Sequence, residues 1–131
     1  MKEVFSIDVV IDGVQEVKSI DGSAWMIAFH GESNCDAFQG TILPGGVDTQ
    51  KLFPTGERTL SARYILEGKD STGEACRIFI ENNGTLQEDG SMKTKPLIFT
   101  DSKALSWMTS ADLTGTITGT DNGVRIAFLK D

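Results

Sequence analysis

The chain has 131 residues, a formal net charge of -7 and an apolar share of 39%. That length is one domain's worth and buries a core without metals or disulfides to staple it. The acidic balance, with Lys and Arg scattered rather than clustered, argues against nucleic acid as a partner, because phosphate contacts need concentrated positive charge.

The longest apolar run, Ala24 to Phe29, is far too short to span a membrane. Met1-Lys2-Glu3-Val4 is not a basic segment leading into an apolar stretch, so no secretory signal is read and a cytoplasmic location is expected. The two cysteines, Cys35 and Cys76, are then expected as reduced, partly buried thiols, although spacing alone does not fix whether they pair. With His30 the only histidine, no zinc-ligand spacing exists, and no metal or cofactor is expected.

Taken in order, the chain alternates extended segments with turn signals. Phe5, Ile7, Val9 and Ile11 share one face of a first strand, with Ser6 and Asp8 on the other. Trp25, Ile27 and Phe29 oppose Met26, Ala28 and His30 on a second. On the segment Leu60–Leu66, Leu60, Ala62, Tyr64 and Leu66 oppose Ser61, Arg63 and Ile65. Ile78 and Ile80 alternate with Phe79 and Glu81, and Val124, Ile126 and Phe128 with Arg125 and Ala127. Asp12-Gly13, Asp21-Gly22, Gly45-Gly46, Thr55-Gly56, Asp70-Ser71-Thr72-Gly73, Asn83-Gly84, Asp89-Gly90 and Asp121-Asn122-Gly123 read as turns. The segments between them run roughly 6 to 10 residues, the usual strand length. Helical period is nearly absent. The one candidate is Ser102–Met108, where Asp101 could cap a short turn and Leu105 and Met108 could face inward. An all-β domain closed into an antiparallel barrel of about eight to ten strands, spanning residues 1–131, is therefore expected. Gly115 to Gly119 is a strand of small residues rather than a phosphate loop, because no Gly-Lys-Ser/Thr ending follows it.

The densest signal for a site lies between Phe38 and Tyr64. Pro44-Gly45-Gly46 is a rigid residue followed by two permissive ones, and it should deliver Asp48 and Gln50 onto one face of the next segment. Arg63 sits mid-strand among apolar neighbours, which suggests that it meets a carboxylate or a ligand anion. Gly40-Thr41-Ile42-Leu43-Pro44-Gly45-Gly46-Val47-Asp48, the Ala62-Arg63-Tyr64 strand, the strand ending in Asn83-Gly84 and the late Leu105-Ser106-Trp107 together resemble one family. It is uncharacterised protein family 0311, also described as domain of unknown function 3237. The resemblance runs from about Phe29 to the C-terminus, and its Leu-Pro-Gly-Gly-x-Asp element is the most specific part. It implies a calycin-like or allene-oxide-cyclase-like β-barrel and no agreed activity. Thr49 stands where the family often carries an aromatic residue.

Each candidate has a plain reading beside the functional one. Asp48 could act as a base, anchor Arg63 or cap the Pro44-Gly45-Gly46 turn. Pairing with Arg63 would lower its pKa and so disfavour the base. Glu81 ends an apolar strand: if it faces inward with Phe79, desolvation raises its pKa, and if not it is a solvated strand end. Asn83 could hydrogen-bond a ligand or simply form an Asn-Gly hairpin. Trp107 and Trp25 could wall a cavity or pack the core. His30 reads as structural, and Tyr64, the sole tyrosine, needs a partner for its hydroxyl if buried. No serine or cysteine lies in a nucleophile motif.

Three readings of function follow. In the first, the barrel mouth binds a small carboxylated or aromatic molecule, lined by Asp48, Gln50, Arg63, Glu81, Asn83 and Trp107, with Arg63 orienting a carboxylate or enolate oxygen. In the second, the same pocket is a cofactor-independent isomerase, cyclase or lyase: Arg63 stabilises an oxyanion, and Glu81 or Asp48 moves a proton. In the third, the barrel is filled and serves as a structural or interaction module, with Arg63 and Asp48 satisfying each other. No membrane partner is expected. Association into a homodimer through exposed strand edges or apolar patches is expected, at positions the sequence does not locate.

Overall fold

The computed structural model describes residues Met1–Asp131. It consists of β1 (Lys2–Ser19), β2 (Gly22–Asn34), β3 (Phe38–Ile42), β4 (Val47–Leu52), β5 (Arg58–Asp70), β6 (Ala75–Leu86), β7 (Met92–Thr100), a 3-10 turn η1 (Ser106–Thr109), β8 (Leu113–Gly119) and β9 (Gly123–Lys130). Neighbouring strands are all antiparallel, in the ring order β1-β9-β8-β7-β6-β5-β3-β2, and β1 pairs β2 to close it. The fold is the closed all-β barrel with one short helical turn that the alternation and turn spacing predict.

β3 and β4 occupy one position in the ring, end to end between β2 and β5. Both run antiparallel to β5, so Pro44-Gly45-Gly46 does not reverse the chain. Instead Leu43–Gly46 oppose only Tyr64 and Ile65, between the pairs Ile42↔Leu66 and Val47↔Arg63. This outsized bulge is held by Leu43 N–H donating to Ile65 O at 2.8 Å and Phe29 N–H donating to Gly46 O at 3.2 Å. Gly45 takes a φ of +110°, a conformation that side chains rarely adopt.

Two of the expected turns are not turns. Asp12-Gly13 forms a bulge inside β1, where the register with β2 shifts between Ile11 and Gly13. Asn83-Gly84 lies inside β6, paired with Lys95 and Thr94 of β7. Gly84 is there for close approach: a Cβ at this position would stand 2.6 Å from Lys93 O and 2.7 Å from Thr94 Cγ2. Strands therefore reach 18 residues in β1 and 13 in β2 and β5, longer than the turn signals imply.

β7 and β8 pair only at Lys93↔Thr116 and Thr94↔Gly115. They part before Pro96, which has no N–H to offer a neighbouring strand. The segment carrying η1 follows β7, and its Leu105 and Met108 are buried as expected. Asp101 does not cap it. Asp101 accepts from Arg77 N–H at 2.8 Å, and Ser102 Oγ accepts from Leu105 N–H at 3.2 Å in its place. Ser102 Oγ also donates to Asp70 Oδ2 at 2.7 Å.

The barrel interior has two halves. Beside η1 it is filled by Phe5, Phe38, Phe128, Ile7, Leu66, Ile78, Ile80 and Ile98, all fully buried. Phe5 stands 6.0 Å from Phe38 and 6.3 Å from Phe128 between ring centroids, the spacing of favourable aromatic pairs. The other half, toward the β8–β9 turn, keeps a cavity.

Candidate functional site

The period of two along each strand decides what enters that cavity. On β4, Asp48 and Gln50 share a face and register with Ile27 and Trp25 of β2 and with Ala62 and Leu60 of β5. On β6 the inward phase Cys76, Ile78, Ile80 continues to Asn82, which lies opposite Ala62. The result is a cavity of about 120 Å³ lined by Val9, Ile11, Ile27, Phe29, Leu60, Ala62, Ile117, Val124 and Ile126 with three polar residues, Asp48, Gln50 and Asn82.

Six buried side-chain polar atoms have no hydrogen-bond partner within the chain: Asp48 Oδ1 and Asn82 Oδ1 and Nδ2 beside the cavity, and Tyr64 Oη, Thr94 Oγ1 and Ser61 Oγ outside its lining. Buried polar groups are satisfied in the great majority of cases, and each orphan costs about 1–3 kcal/mol. Three of them, Asp48 Oδ1 and Asn82 Oδ1 and Nδ2, belong to residues that line the cavity. Asn82 and Thr94 are each 1% exposed and Tyr64 3%.

Asp48 is held on one side only. Gln50 Nε2 donates to Asp48 Oδ2 at 3.0 Å. Gln50 Oε1 in turn accepts from Arg58 Nη2 at 2.7 Å and Nε at 3.3 Å, and the Arg58 guanidinium lies 4.5 Å from the Trp25 ring centre. Burial pushes the Asp48 carboxyl above its ordinary range; the Gln50 bond and the Arg58 charge offset this only in part. Burial, with the Asp48 charge adding to it, also drives the Tyr64 phenol far above its usual value. The Tyr64 ring meets Phe29 edge-on at 5.4 Å between centroids.

The remaining expected site residues lie elsewhere. Arg63 faces outward, its side chain 63% exposed, with Nε 3.1 Å from Glu81 Oε2. It does not meet Asp48. Glu81 and Phe79 also face outward, and Asn83 Nδ2 donates to Glu81 Oε1 at 3.1 Å on the same outer surface. The physical reason is closure: the barrel takes the Leu60, Ala62, Tyr64, Leu66 face inside, and a guanidinium there would forfeit its hydration. Trp107, on η1, packs against the filled half with Lys130 Nζ 5.4 Å from its ring centre, away from the cavity. Of the six lining residues read from the sequence, the structure brings Asp48 and Gln50 together at the cavity and places Arg63, Glu81, Asn83 and Trp107 outside it. Tyr64 and Asn82 belong to the interior. Asn82 was legible as the next inward step after Ile78 and Ile80.

A wider concavity of about 850 Å³ lies on the outer surface, between the β1 bulge and the β3–β4 bulge. His30 Nδ1 and Asp12 Oδ1 meet there at 2.6 Å. None of the orphaned atoms lines it. Cys35 and Cys76 are free thiols, and burial raises the pKa of Cys76, with Asp70 and Asp101 adding to the effect. No group of three or more His, Cys, Asp or Glu side chains is placed to hold a metal ion.

Fold and interior define a closed antiparallel β-barrel, packed at one end and holding in the other half an apolar cavity with three polar residues on its wall. The chain belongs to the family described as "Protein of unknown function (DUF3237)", which it matches over residues 1–130. It is 37% identical over 86 residues to a UPF0311 protein of Clostridium acetobutylicum, an alignment covering 63% of this chain and 52% of that protein, so the match spans about half the relative's length. A crystal structure of a protein of unknown function from the same organism superposes with a TM-score of 0.82 at 28% identity, covering 98% of this chain and 94% of the other. A β-barrel-like protein from Acinetobacter baumannii shares the fold at a TM-score of 0.73 and 17% identity, covering 98% and 93%.

Proposed function

We propose that the protein binds a small organic molecule in the unfilled half of its barrel, with Asp48, Tyr64 and Asn82 as the polar anchors. The orphaned atoms Asp48 Oδ1 and Asn82 Oδ1 and Nδ2, on residues that line an apolar cavity, carry this reading, with the Tyr64 hydroxyl buried behind Phe29 and within reach of the Asp48 charge. A ligand offering a donor to Asp48 and an acceptor to Asn82 would satisfy them, while Val9, Ile11, Ile27 and Ile126 supply the apolar walls. The volume is of the order of an engineered cavity of about 150 Å³ that takes a benzene ring. Because Arg63 points away, selection for a carboxylate has no buried cation behind it. Arg58 at Trp25 is the positive group joined to this network.

The cofactor-independent isomerase, cyclase or lyase is a second reading, favoured by one observation. Asp48 is a carboxylate whose pKa burial raises and whose Oδ1 is bare, which are features of a group that takes up and gives back a proton. Glu81 has no part in this reading. We also propose a cytoplasmic location, which the two free thiols support. No helix is long and apolar enough to cross a membrane.

The test is thermal denaturation against small hydroxylated and carbonyl-bearing aromatic and aliphatic compounds, with carboxylates as a comparison set. A ligand at 100 times its dissociation constant adds about 2.7 kcal/mol to stability. A shift in the wild type that vanishes in Asp48→Asn and Asn82→Leu supports the reading, and hits are then assayed for turnover. No shift with any compound, or shifts that survive both substitutions, overturns it in favour of a barrel that works through its surface.

A further inference from the structure

We propose that the free edge of β1, from Gly13 to Ser19, is where two copies of this chain pair, antiparallel, about a two-fold axis through Val17. β1 pairs with β9 only as far as Val10↔Gly123, and its last bond on that side is Ile11 N–H to Asn122 O at 3.1 Å. Beyond the bulge, Gly13–Ser19 pairs with β2 on one side and with no strand on the other. Every residue from Ile11 to Asp21 is exposed, including Val14 at 54%, Val17 at 68% and Ile20 at 93%. A strand edge of this kind presents a row of free N–H and C=O groups to any second strand.

The sequence of the edge selects the partner and the register. Residues opposite each other must share a face, so a two-fold axis passes through a residue rather than between two. Centred on Val17, the pairing sets Glu16 against Lys18 of the second copy, Gln15 against its Ser19, and Val17 against Val17. Opposite charges and an apolar pair then meet across the strands, the arrangement that stabilises a sheet. Centred on Glu16 or Lys18, like charges would oppose each other; centred on Gln15, Val14 would face a glutamate. Trp25 Nε1 donates to Glu16 Oε2 at 2.8 Å, which holds that carboxylate on the shared face before any partner arrives. The chain's own Lys18–Glu16 contact, at 3.8 Å and well exposed, is weak enough to yield.

A single pairing of five residues from each copy, Gln15–Ser19, is a small interface, so the dimer is expected to dissociate in the range of about 10–100 µM. Sedimentation of the full chain up to several times that concentration tests it, with melting temperature confirming that each variant is folded. The expected result is a concentration-dependent dimer for the wild type. Lys18→Glu should weaken it about tenfold, and Glu16→Lys with Lys18→Glu should restore it, because opposite charges then face each other again. On oxidation with diamide, Val17→Cys should form a linked dimer and Gln15→Cys should not, since only residue 17 meets its own copy. A wild type monomeric throughout, a dimer indifferent to Lys18→Glu, or equal cross-linking at positions 15 and 17 would each overturn the proposal. The interior site plays no part in these measurements, so either can fail alone.

Discussion

Gln50 joins Arg58 to Asp48: its Oε1 accepts from Arg58 Nη2 at 2.7 Å while its Nε2 donates to Asp48 Oδ2 at 3.0 Å. One carboxylate oxygen is thereby tied to a cation at one remove, and the other is left bare in an apolar cavity. Four predictions follow from where the charges sit.

Asp48→Asn keeps the shape and removes a buried charge. It should raise the melting temperature at pH 7 by several degrees, since about 1 kcal/mol moves a domain of this size by roughly 3–6 °C. Because burial raises the native pKa above its ordinary 3.8, the cost of the charge is absent below the unfolded value and grows as pH rises through the native one. The gain should therefore be near zero at acid pH and full at neutral pH. A gain that is constant with pH would show that Asp48 titrates normally.

Asp70 runs the opposite way. Hydrogen bonds from Thr72 and Ser102 hold its carboxyl down at about 2, so its stabilisation is present above the unfolded value of 3.8 and is lost as pH falls toward 2. Asp70→Asn should lower the melting temperature at pH 7 and lose most of that effect near pH 2, read by the same thermal scans.

Tyr64→Phe removes a hydroxyl that has no partner. Stability should stay level or rise by up to about 1 kcal/mol, while any ligand identified by thermal shift should bind more weakly. A loss of more than about 2 kcal/mol in chemical denaturation would mean the hydroxyl is bonded after all.

Arg63→Ala and Glu81→Gln break an exposed ion pair on the outer surface, and each should cost less than about 1 kcal/mol in urea unfolding. Neither should change ligand affinity. A cost of 3–5 kcal/mol, the mark of a broken buried pair, would place Arg63 inside.

How much of this was legible in the sequence can be argued residue by residue. Alternation sorted Leu60, Ala62, Tyr64 and Leu66 from Ser61, Arg63 and Ile65, and the same rule put Asp48 beside Gln50. Neither step names the inside. Asn83-Gly84 carries strong turn chemistry, yet it runs straight through β6 because Gly84 is needed where Lys93 O and Thr94 crowd the backbone. Pro44-Gly45-Gly46 breaks a strand without reversing it, since β2 and β5 hold the chain in line on both sides.

The sequence by itself determined the strands, most of the turns and which side chains travel together, because these depend on backbone sterics and a period of two that are local to a few residues. Only the tertiary structure decided which face the ring encloses and which polar groups end up without a partner. Closure is a global condition. It depends on β1 meeting β2 after a whole circuit, and on the whole interior choosing the face whose burial costs least.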